Sequence, residues 1–271
     1  MKSIMSLGMG SWNLSMKMLD LKPDEIHFFY TLVDEIKDTG LLDRYRSVIS
    51  ENEKIKVNRY VFEKDKHSCL VTRALLRFVL SALTHEEPER FEFIENKYGK
   101  PDLKPGLVTM PVKFNLSHSS GVTACALALG SEIGMDIEDY RRKIDLGLAD
   151  RFFSKPESEY LRSCSDKDRQ EVFFDFWTLK ESYIKARGMG LSIGLDKFGF
   201  EIDKKNIGIN FHESLNASPD QWKFFRFSPV ENYKAAISIQ SGLKNSFKLH
   251  IYKCIPFSEI KKQGNRSRLE I

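Results

Sequence analysis

Two acidic residues on one predicted strand have the spacing of metal ligands. Asp136 and Glu138 lie two residues apart in the segment G-M-D-I-E at 134–138, so on a strand their side chains project from the same face. Carboxylate oxygens in this arrangement suit Mg²⁺, which binds few protein ligands and completes its shell with water and substrate phosphates. An exposed acidic strand end would give the same pattern, and this segment alone leaves both interpretations open.

A third carboxylate and a lysine share one face of a predicted helix. Glu181 and Lys185 lie four residues apart in the segment F-W-T-L-K-E-S-Y-I-K-A-R-G at 176–188. Such a pair can be an ordinary surface ion pair. The apolar residues of the same helix place it at an interface, where a glutamate needs a partner that a metal ion would supply. Together the two segments could hold a divalent cation against a phosphate.

Two turn-like segments present further groups that could contact a phosphate. Ser117 and His118 lie in the segment S-H-S that follows a predicted strand, and both could donate hydrogen bonds to an anion. Lys100 lies in the turn Y-G-K-P at 98–101, where glycine and proline constrain the backbone. Hydroxyls that cap their own backbone, and an ordinary turn, are the alternative interpretations.

The elements that must position these groups occur in a repeated order. Helical patterns cover residues 23–36, 43–59, 65–83 and 168–187, and Ser154 with Glu157 predicts a capping box. Phe91 and Phe93 predict a strand that leads into the turn at 96–101, and further predicted strands cover residues 112–116, 122–129, 198–202, 222–227 and 233–240. A helix followed by three strands therefore occurs twice.

This repeat predicts an α+β protein of two similar lobes, each with a long helix packed on a small antiparallel sheet. We expect residues 1–130 to form an N-terminal lobe that includes an N-terminal extension. Residues 131–255 are expected to form the C-terminal lobe, and residues 256–271 a basic C-terminal tail.

The composition is that of an ordinary globular protein. The 271 residues are 41% hydrophobic and 30% charged, with a formal net charge of +4. This mild basic balance permits anionic partners, but aromatic and basic residues are not interleaved, so we expect no nucleic-acid binding. No apolar run reaches the length of a bilayer, so we expect no membrane insertion. The four cysteines are scattered without a CxxC pair, which argues against structural zinc and favours a reducing cytoplasm.

Four of these segments, in this order, resemble the 4′-phosphopantetheinyl transferases of the surfactin-synthetase-activating type. That family has a G-K-P turn, then F-N-x-S-H-S, then G-x-D-I-E, then F-x-x-x-W-x-x-K-E-x-x-x-K. The matching segments of this chain are residues 99–101, 114–119, 134–138 and 173–185. The resemblance extends over residues 59–239 and implies a pseudo-dimeric fold of two similar α+β lobes.

The resemblance also implies a reaction and a metal. The family transfers the 4′-phosphopantetheine group from coenzyme A to a serine of an apo acyl or peptidyl carrier protein and releases 3′,5′-ADP. Carried over residue by residue, Asp136, Glu138 and Glu181 would ligate Mg²⁺, for which Mn²⁺ could substitute. Glu181, or Glu138 through a water, would take the serine proton, and Lys185 would face the departing 3′,5′-ADP.

The remaining expectations concern coenzyme A and the partners. Lys100, Ser117 and His118 would contact the coenzyme A phosphates, His118 the 3′-phosphate, and Arg73 and Lys56 are basic residues available for the same role. The partners would be coenzyme A and an apo carrier protein, and the active state a cytoplasmic monomer. A metal-dependent hydrolase with phosphodiesterase activity and a non-catalytic binding protein are the competing interpretations.

Overall fold

Two long helices each cover one β-sheet, and the two sheets pack face to face. The computed structural model describes residues 19–203, 206–215, 217–242 and 246–264. Its helices are α1 (Thr39–Val48), α2 (Glu51–Asn58), α3 (Glu63–Thr84), α4 (Leu148–Phe152), α5 (Lys155–Ser163) and α6 (Asp166–Arg187). Its strands are β1 (Glu25–Leu32), β2 (Phe93–Glu95), β3 (Pro101–Leu103), β4 (Val112–Ser119), β5 (Val122–Leu129), β6 (Ile133–Asp139), β7 (Phe198–Ile202), β8 (Ile207–Phe211), β9 (Trp222–Phe227), β10 (Tyr233–Gln240), β11 (Lys248–Ile255) and β12 (Glu259–Lys262).

The strands form a five-stranded sheet, a three-stranded sheet and two hairpins. The order in the large sheet is β12-β11-β1-β5-β4, and the order in the small one is β6-β10-β9. Neighbouring strands pair in antiparallel fashion except β1 and β11, which are parallel. β4 and β6 are therefore edge strands, one of each sheet.

Successive side chains of each strand point to opposite faces of its sheet, so the core is divided into layers. The inner residues of both sheets pack against each other, for example Phe28 of β1 against Phe227 of β9, with ring centroids 4.9 Å apart. The outer residues of the large sheet, such as Phe29 and Leu127, pack against α3. The outer face of the small sheet packs against α6. The order of layers is helix, sheet, sheet, helix.

The predicted α+β class is confirmed, and so are its two principal helices. α6 ends at Gly188, whose φ of 60° is a left-handed conformation that glycine adopts without strain. The predicted capping box at Ser154 and Glu157 begins α5. None of the described helices is both long enough and apolar enough to cross a membrane.

The helix predicted for residues 23–36 is wrong, because residues 25–32 form β1. Six consecutive residues of β1 are buried, since one face of the strand meets the small sheet and the other meets α3. A strand that is buried on both faces shows no alternation of apolar and polar residues, and its apolar run is easily confused with a helix.

The lobe boundaries differ from those expected from the sequence. β11 and β12 lie at 248–262, yet they complete the five-stranded sheet of the N-terminal half. Glu25 pairs with Lys248 and Tyr30 with Lys253. A pairing between the two ends of the chain leaves no local signal in the sequence. Residues 1–18 and 265–271 of the predicted extension and tail lie outside the described residues.

Candidate active site

Side chains of β4 join the two sheets at their edges. Asn115, Ser117 and Ser119 alternate along β4 and face β6. Asn115 Oδ1 accepts a hydrogen bond from the backbone N–H of Met135 (3.0 Å), and Ser119 Oγ accepts one from that of Asp139 (3.3 Å). These bonds satisfy backbone N–H groups on the outer edge of β6, which pairs with no described strand. They also bring Ser117 beside the acidic segment.

Asp136 is the centre of the site and is 4% exposed. Its Oδ1 accepts hydrogen bonds from Ser117 Oγ (2.7 Å) and Lys185 Nζ (2.6 Å). Lys185 also donates to Ser117 Oγ (2.9 Å), so the three side chains form a closed triangle. Asp136 Oδ2 is buried and has no hydrogen-bond partner among the described residues. A buried carboxylate oxygen without a donor is costly, and a cation would satisfy it.

Glu138 and Glu181 complete the acidic cluster. Burial raises the pKa of both side chains, and the negative charge of Asp136 raises each of them further. Glu138 Oε2 accepts a hydrogen bond from Ser119 Oγ (2.7 Å), and its Oε1 lies 3.5 Å from Arg142 Nη2. The oxygens of the three acidic residues do not all lie within 4.8 Å of one another. Joint ligation of one ion therefore requires rotation of a glutamate side chain.

The donor set nevertheless fits a hard divalent cation. The charge of Asp136 raises the pKa of Glu138 and of Glu181, so the three carboxylates are held together against electrostatic repulsion, which a doubly charged ion would relieve. Oxygen ligands of this kind are those that Mg²⁺ prefers.

Gly134 allows α6 to lie directly on β6. A Cβ atom at this position would come within 2.1 Å of the Ala186 nitrogen and the Ser182 carbonyl oxygen. On the same face, Ser182 Oγ and the Ser238 Oγ of β10 are 2.7 Å apart. This close approach holds Lys185 over Asp136. Gly134 belongs to the G-M-D-I-E motif, but the sequence alone indicates no role for it.

Lys180 anchors α6 to α5 and to the segment at 195–198. The side chain is fully buried, its Nζ lies 2.8 Å from Glu157 Oε2, and it donates to the carbonyls of Leu195 (2.9 Å) and Phe198 (2.6 Å). Burial lowers the pKa of Lys180, which the charge of Glu157 opposes. The predicted capping box identified Glu157 and the family pattern included Lys180, but neither indicated that the two pair in the core.

His118 projects from the face of β4 opposite to that of Ser117, while Arg73 belongs to α3 and Lys56 to α2, which packs against α3. His118 pairs in register with Thr123, whose hydroxyl contacts Thr72 of α3. His118 reaches the surface; the protein around its ring lowers its pKa, and the nearby charges of Lys185 and Arg73 lower it further. Arg73 Nε is buried without a hydrogen-bond partner among the described residues. Lys56 Nζ is bound to Glu95 Oε1 (2.6 Å).

Lys100 lies at the C-terminal end of α6. Its Nζ donates to Glu132 Oε2 (2.7 Å) and to the carbonyl of Ala186 (2.8 Å). Asn96 donates to the carbonyl of Gly188 in the same region (2.7 Å). A cation here is favourable because the last carbonyls of a helix carry partial negative charge. The structure thus brings Asp136, Glu138, Glu181, Lys185 and Ser117 together, with His118 at their border and Lys100 apart.

A buried acidic cluster with a lysine, set between two helix–sheet units, is typical of an enzyme that handles phosphate groups. Two family models match the chain. One, described as "4'-phosphopantetheinyl transferase superfamily", matches residues 132–238, and the other, "4'-phosphopantetheinyl transferase, N-terminal", matches residues 41–129.

Curated relatives agree with these matches. The 4'-phosphopantetheinyl transferase HetI of Nostoc sp. is 31% identical over 82% of this chain and 90% of its own length. The 4'-phosphopantetheinyl transferase Sfp of Bacillus subtilis is 35% identical over 72% of this chain and 84% of its own length. The 4'-phosphopantetheinyl transferase gsp of Aneurinibacillus migulanus is 32% identical, with 72% and 78% covered. The chain belongs to the 4′-phosphopantetheinyl transferase family, which confirms the resemblance found in the sequence.

Proposed function

We propose that this transferase moves the 4′-phosphopantetheine group from coenzyme A to a serine of an apo carrier protein with Mg²⁺ held by Asp136, Glu138 and Glu181. Membership of the family supports the reaction, which the family carries out on carrier proteins. The observation that carries the metal proposal is the divided environment of Asp136. Its Oδ1 accepts hydrogen bonds from Lys185 and Ser117, and its Oδ2 is buried without a hydrogen-bond partner in the described part of the chain.

The acidic cluster has the chemistry for such an ion. When bound, Mg²⁺ would neutralise and orient the pyrophosphate of coenzyme A. Mn²⁺ accepts the same oxygen ligands and could replace it. Asp136 would ligate through its free Oδ2, while its Oδ1 keeps Lys185 in place.

The proton of the acceptor serine needs a base, for which Glu181 is the candidate. Burial and the charge of Asp136 raise the pKa of Glu181, whereas a bound cation would lower it, so the case for Glu181 as the base is its place in the acidic cluster. As the serine oxygen bonds to the β-phosphorus, its proton passes to Glu181. The bond from the β-phosphorus to the bridging oxygen breaks, and 3′,5′-ADP leaves. Glu138, whose pKa is also raised, could act instead through a water.

Lys185 would stabilise the negative charge that develops on the leaving group. Its Nζ lies between Asp136 Oδ1 (2.6 Å) and Ser117 Oγ (2.9 Å), so its position is fixed before coenzyme A binds. A preorganised cation of this kind lowers the barrier because no reorganisation is needed during the reaction.

The other coenzyme A phosphate would lie on the α3 side of β4. On this side Arg73 Nε is buried without a hydrogen-bond partner among the described residues. The charge of Arg73 acts on His118, and Lys56 and Arg73 both act on Glu95, so the three basic residues are neighbours. A phosphate between these groups would raise the pKa of His118 again, because an anion favours the charged imidazole. Ser117 and Lys100 stay predicted contacts of coenzyme A. Each would have to exchange a present partner, Asp136 for Ser117 and Glu132 for Lys100.

We further propose that a cytoplasmic monomer is the active state. Residues from both halves of one chain build the site, so a second copy is not required. The four cysteines are free, which fits a reducing compartment. The net charge of +4 complements acidic carrier proteins. Light scattering of the purified protein during turnover would test the monomer, and a dimer at assay concentration would contradict it.

The transferase is tested by incubating the protein with coenzyme A, Mg²⁺ and apo carrier proteins of several classes, and by measuring phosphopantetheine on the serine by mass spectrometry. Chelation of the divalent ion should abolish the modification, and Mg²⁺ or Mn²⁺ should restore it. Lys185→Met should be slower by orders of magnitude, whereas Lys167→Met, at an exposed lysine of the same helix, should be normal. Modification that persists without divalent ions would contradict the metal proposal alone. No modification of any carrier would contradict the transferase.

A further inference from the structure

A second cluster of metal-ligating side chains lies on the large sheet. Glu25 and His27 project from the same face of β1, and His250 of β11 pairs with His27 in the parallel register. Among the described residues, these three are the one group of histidine, cysteine, aspartate and glutamate whose ligand atoms all lie within 4.8 Å of one another. They share the outer face of the sheet with Phe29, which packs on the α3 side.

The separations within the cluster match those of a tetrahedral ion. Glu25 Oε2 lies 3.4 Å from His27 Nε2, and Glu25 Oε1 lies 3.5 Å from His250 Nε2. Charge-assisted hydrogen bonds are shorter, about 2.7–2.9 Å. Tetrahedral zinc holds nitrogen and oxygen ligands at about 2.0–2.2 Å, which separates neighbouring ligand atoms by about 3.3–3.6 Å. Both nitrogen–oxygen separations, one to each carboxylate oxygen of Glu25, lie in that range, and one ligand atom from each of the three residues lies within 4.8 Å of the other two.

His27 is the most deeply placed of the three ligands. It is 3% exposed, its ring lies 5.2 Å from that of Tyr252, and its Nδ1 has no hydrogen-bond partner among the described residues. Burial and the neighbouring His250 lower the pKa of His27 to about 4, which keeps the ring neutral at physiological pH. Neutral imidazole is the form that binds metal ions. Besides its ring contacts, the His27 side chain has one polar neighbour on its own strand, Glu25, whose Oε2 lies 3.4 Å from His27 Nε2.

We propose that Glu25, His27 and His250 form a Zn²⁺ site that is separate from the catalytic cluster. Two imidazoles and one carboxylate suit zinc rather than Mg²⁺, which prefers oxygen ligands. The side chains of Glu25 and His250 are 12% and 23% exposed, so a water can complete the fourth position. The ion would tie β1 to β11 and so fix the C-terminal segment to the first described strand.

The scattered cysteines had argued against structural zinc, but this site contains no cysteine. Its ligands come from opposite ends of the chain, so their spacing in the sequence resembles no zinc motif. The outer face of β1 meets the α3 layer, whereas Asp136 faces α6. An ion on this face would therefore stabilise the fold and would take no part in the transfer.

The test uses the full chain carrying Asp136→Ala, so that the proposed magnesium site cannot contribute. Isothermal titration with Zn²⁺ should give one ion per chain, and saturating Zn²⁺ should raise the melting temperature by roughly 5 °C. Adding His250→Gln or Glu25→Gln should weaken binding at least tenfold and remove the thermal shift. His212→Gln, at an exposed histidine bound to Ser214, is the matched control and should change neither.

The absorption of bound Co²⁺ identifies the ligands independently. A tetrahedral spectrum without a thiolate charge-transfer band supports the site, and a thiolate band, which would place the ion on a cysteine, overturns it. Binding that is unchanged by His250→Gln also overturns it, as does the absence of binding at micromolar Zn²⁺. His250→Gln in the otherwise native chain should keep the transferase rate, which shows that the variant is folded and separates this proposal from the proposed function.

Discussion

The two halves of the molecule share one arrangement, a long helix on a sheet, but differ in the polarity of the side chains between helix and sheet. α3 and α6 each have 22 residues, and each lies on the outer face of a sheet. Against α3, the large sheet presents apolar side chains such as Cys125 and Leu127. Against α6, the small sheet presents Gly134, Asp136 and Glu138.

This difference indicates that the layer under α3 mainly stabilises the fold, whereas the layer under α6 carries the groups that could do chemistry. The α3 layer is mainly apolar among the described residues, with the buried Arg77–Glu53 ion pair (2.6 Å) at its side and the cluster of Glu25, His27 and His250 on the outer face of β1 and β11. The α6 layer buries Asp175, Thr178, Lys180 and Ser182 along the helix itself. Buried polar groups stabilise a fold only when each has a partner. In the acidic cluster beside α6, Asp136 Oδ2 of β6 has no such partner among the described residues, and we therefore expect a ligand there.

The strongest way to test this comparison is to remove the charge of Asp136. Asp136→Asn should lower turnover by roughly a thousandfold, about 4 kcal/mol of the barrier, because the proposed metal ligand and the anchor of Lys185 are lost together. The melting temperature should hold or rise, since a buried carboxylate with an unpartnered oxygen is removed. Steady-state kinetics and thermal unfolding provide the two measurements.

Asp166→Asn is the matched control, at a carboxylate on the first turn of α6 whose side chain is 93% exposed. It should change neither quantity. If Asp136→Asn retained normal turnover, the α6 layer would not be the catalytic one.

The next effect concerns the apolar half. Leu76 of α3 is fully buried in the core against the large sheet. Leu76→Ala should lower the free energy of unfolding by about 3 kcal/mol through lost burial and a residual cavity. Turnover per folded molecule should be unchanged. Ile55→Ala, at an apolar side chain that is 51% exposed, is the control and should cost far less. A large loss of turnover in folded Leu76→Ala protein would show that the two layers are not independent.

Local sequence patterns found the periodic elements and the groups on them. The helical spacing of residues 65–83 and 168–187 was sufficient because each helix packs one apolar stripe on a sheet. The acidic and lysine residues were found because their order matched a family pattern. β1 was mistaken for a helix because both of its faces are buried.

What the sequence could not provide depends on distant contacts. The parallel pairing of β1 with β11 joins opposite ends of the chain, and neither strand carries a signal for the other. Lys180 belongs to the sequence motif without a predicted contact, and in the structure it is fully buried against Glu157. The role of Gly134 became visible only when the backbone of α6 was found against it.

A smaller effect should follow from adding a side chain at Gly134, where α6 and β6 are in direct backbone contact. Gly134→Ala forces the backbone of α6 away from β6 and should cost about 2 kcal/mol of stability through overpacking. Turnover should also fall, because Lys185 moves with the helix relative to Asp136. Gly208→Ala on β8, where a new methyl group meets no atom within 4 Å, is the control for both measurements. A Gly134→Ala protein with native stability and turnover would contradict the close approach of helix and strand.

The smallest expected effect is on stability and depends on pH. The pKa of Glu181 is raised in the folded state by burial and by Asp136. The folded protein therefore holds this proton more tightly than the unfolded chain does. The contribution of Glu181 to stability is complete below the ordinary glutamate pKa of about 4.3 and is lost as the pH rises through the raised value.

Glu181→Gln removes this loss of stability at higher pH, because glutamine does not ionise. Without divalent ions, it should raise the melting temperature by roughly 2 °C at pH 7.5 and by nothing at pH 4. Adding Mg²⁺ should stabilise the wild type at pH 7.5 but stabilise the variant much less, because one ligand is missing. Glu63→Gln, at an exposed glutamate of α3, should respond to neither pH nor Mg²⁺ in this way. An equal Mg²⁺ response in wild type and Glu181→Gln would place the ion elsewhere and would end the contrast between the two layers.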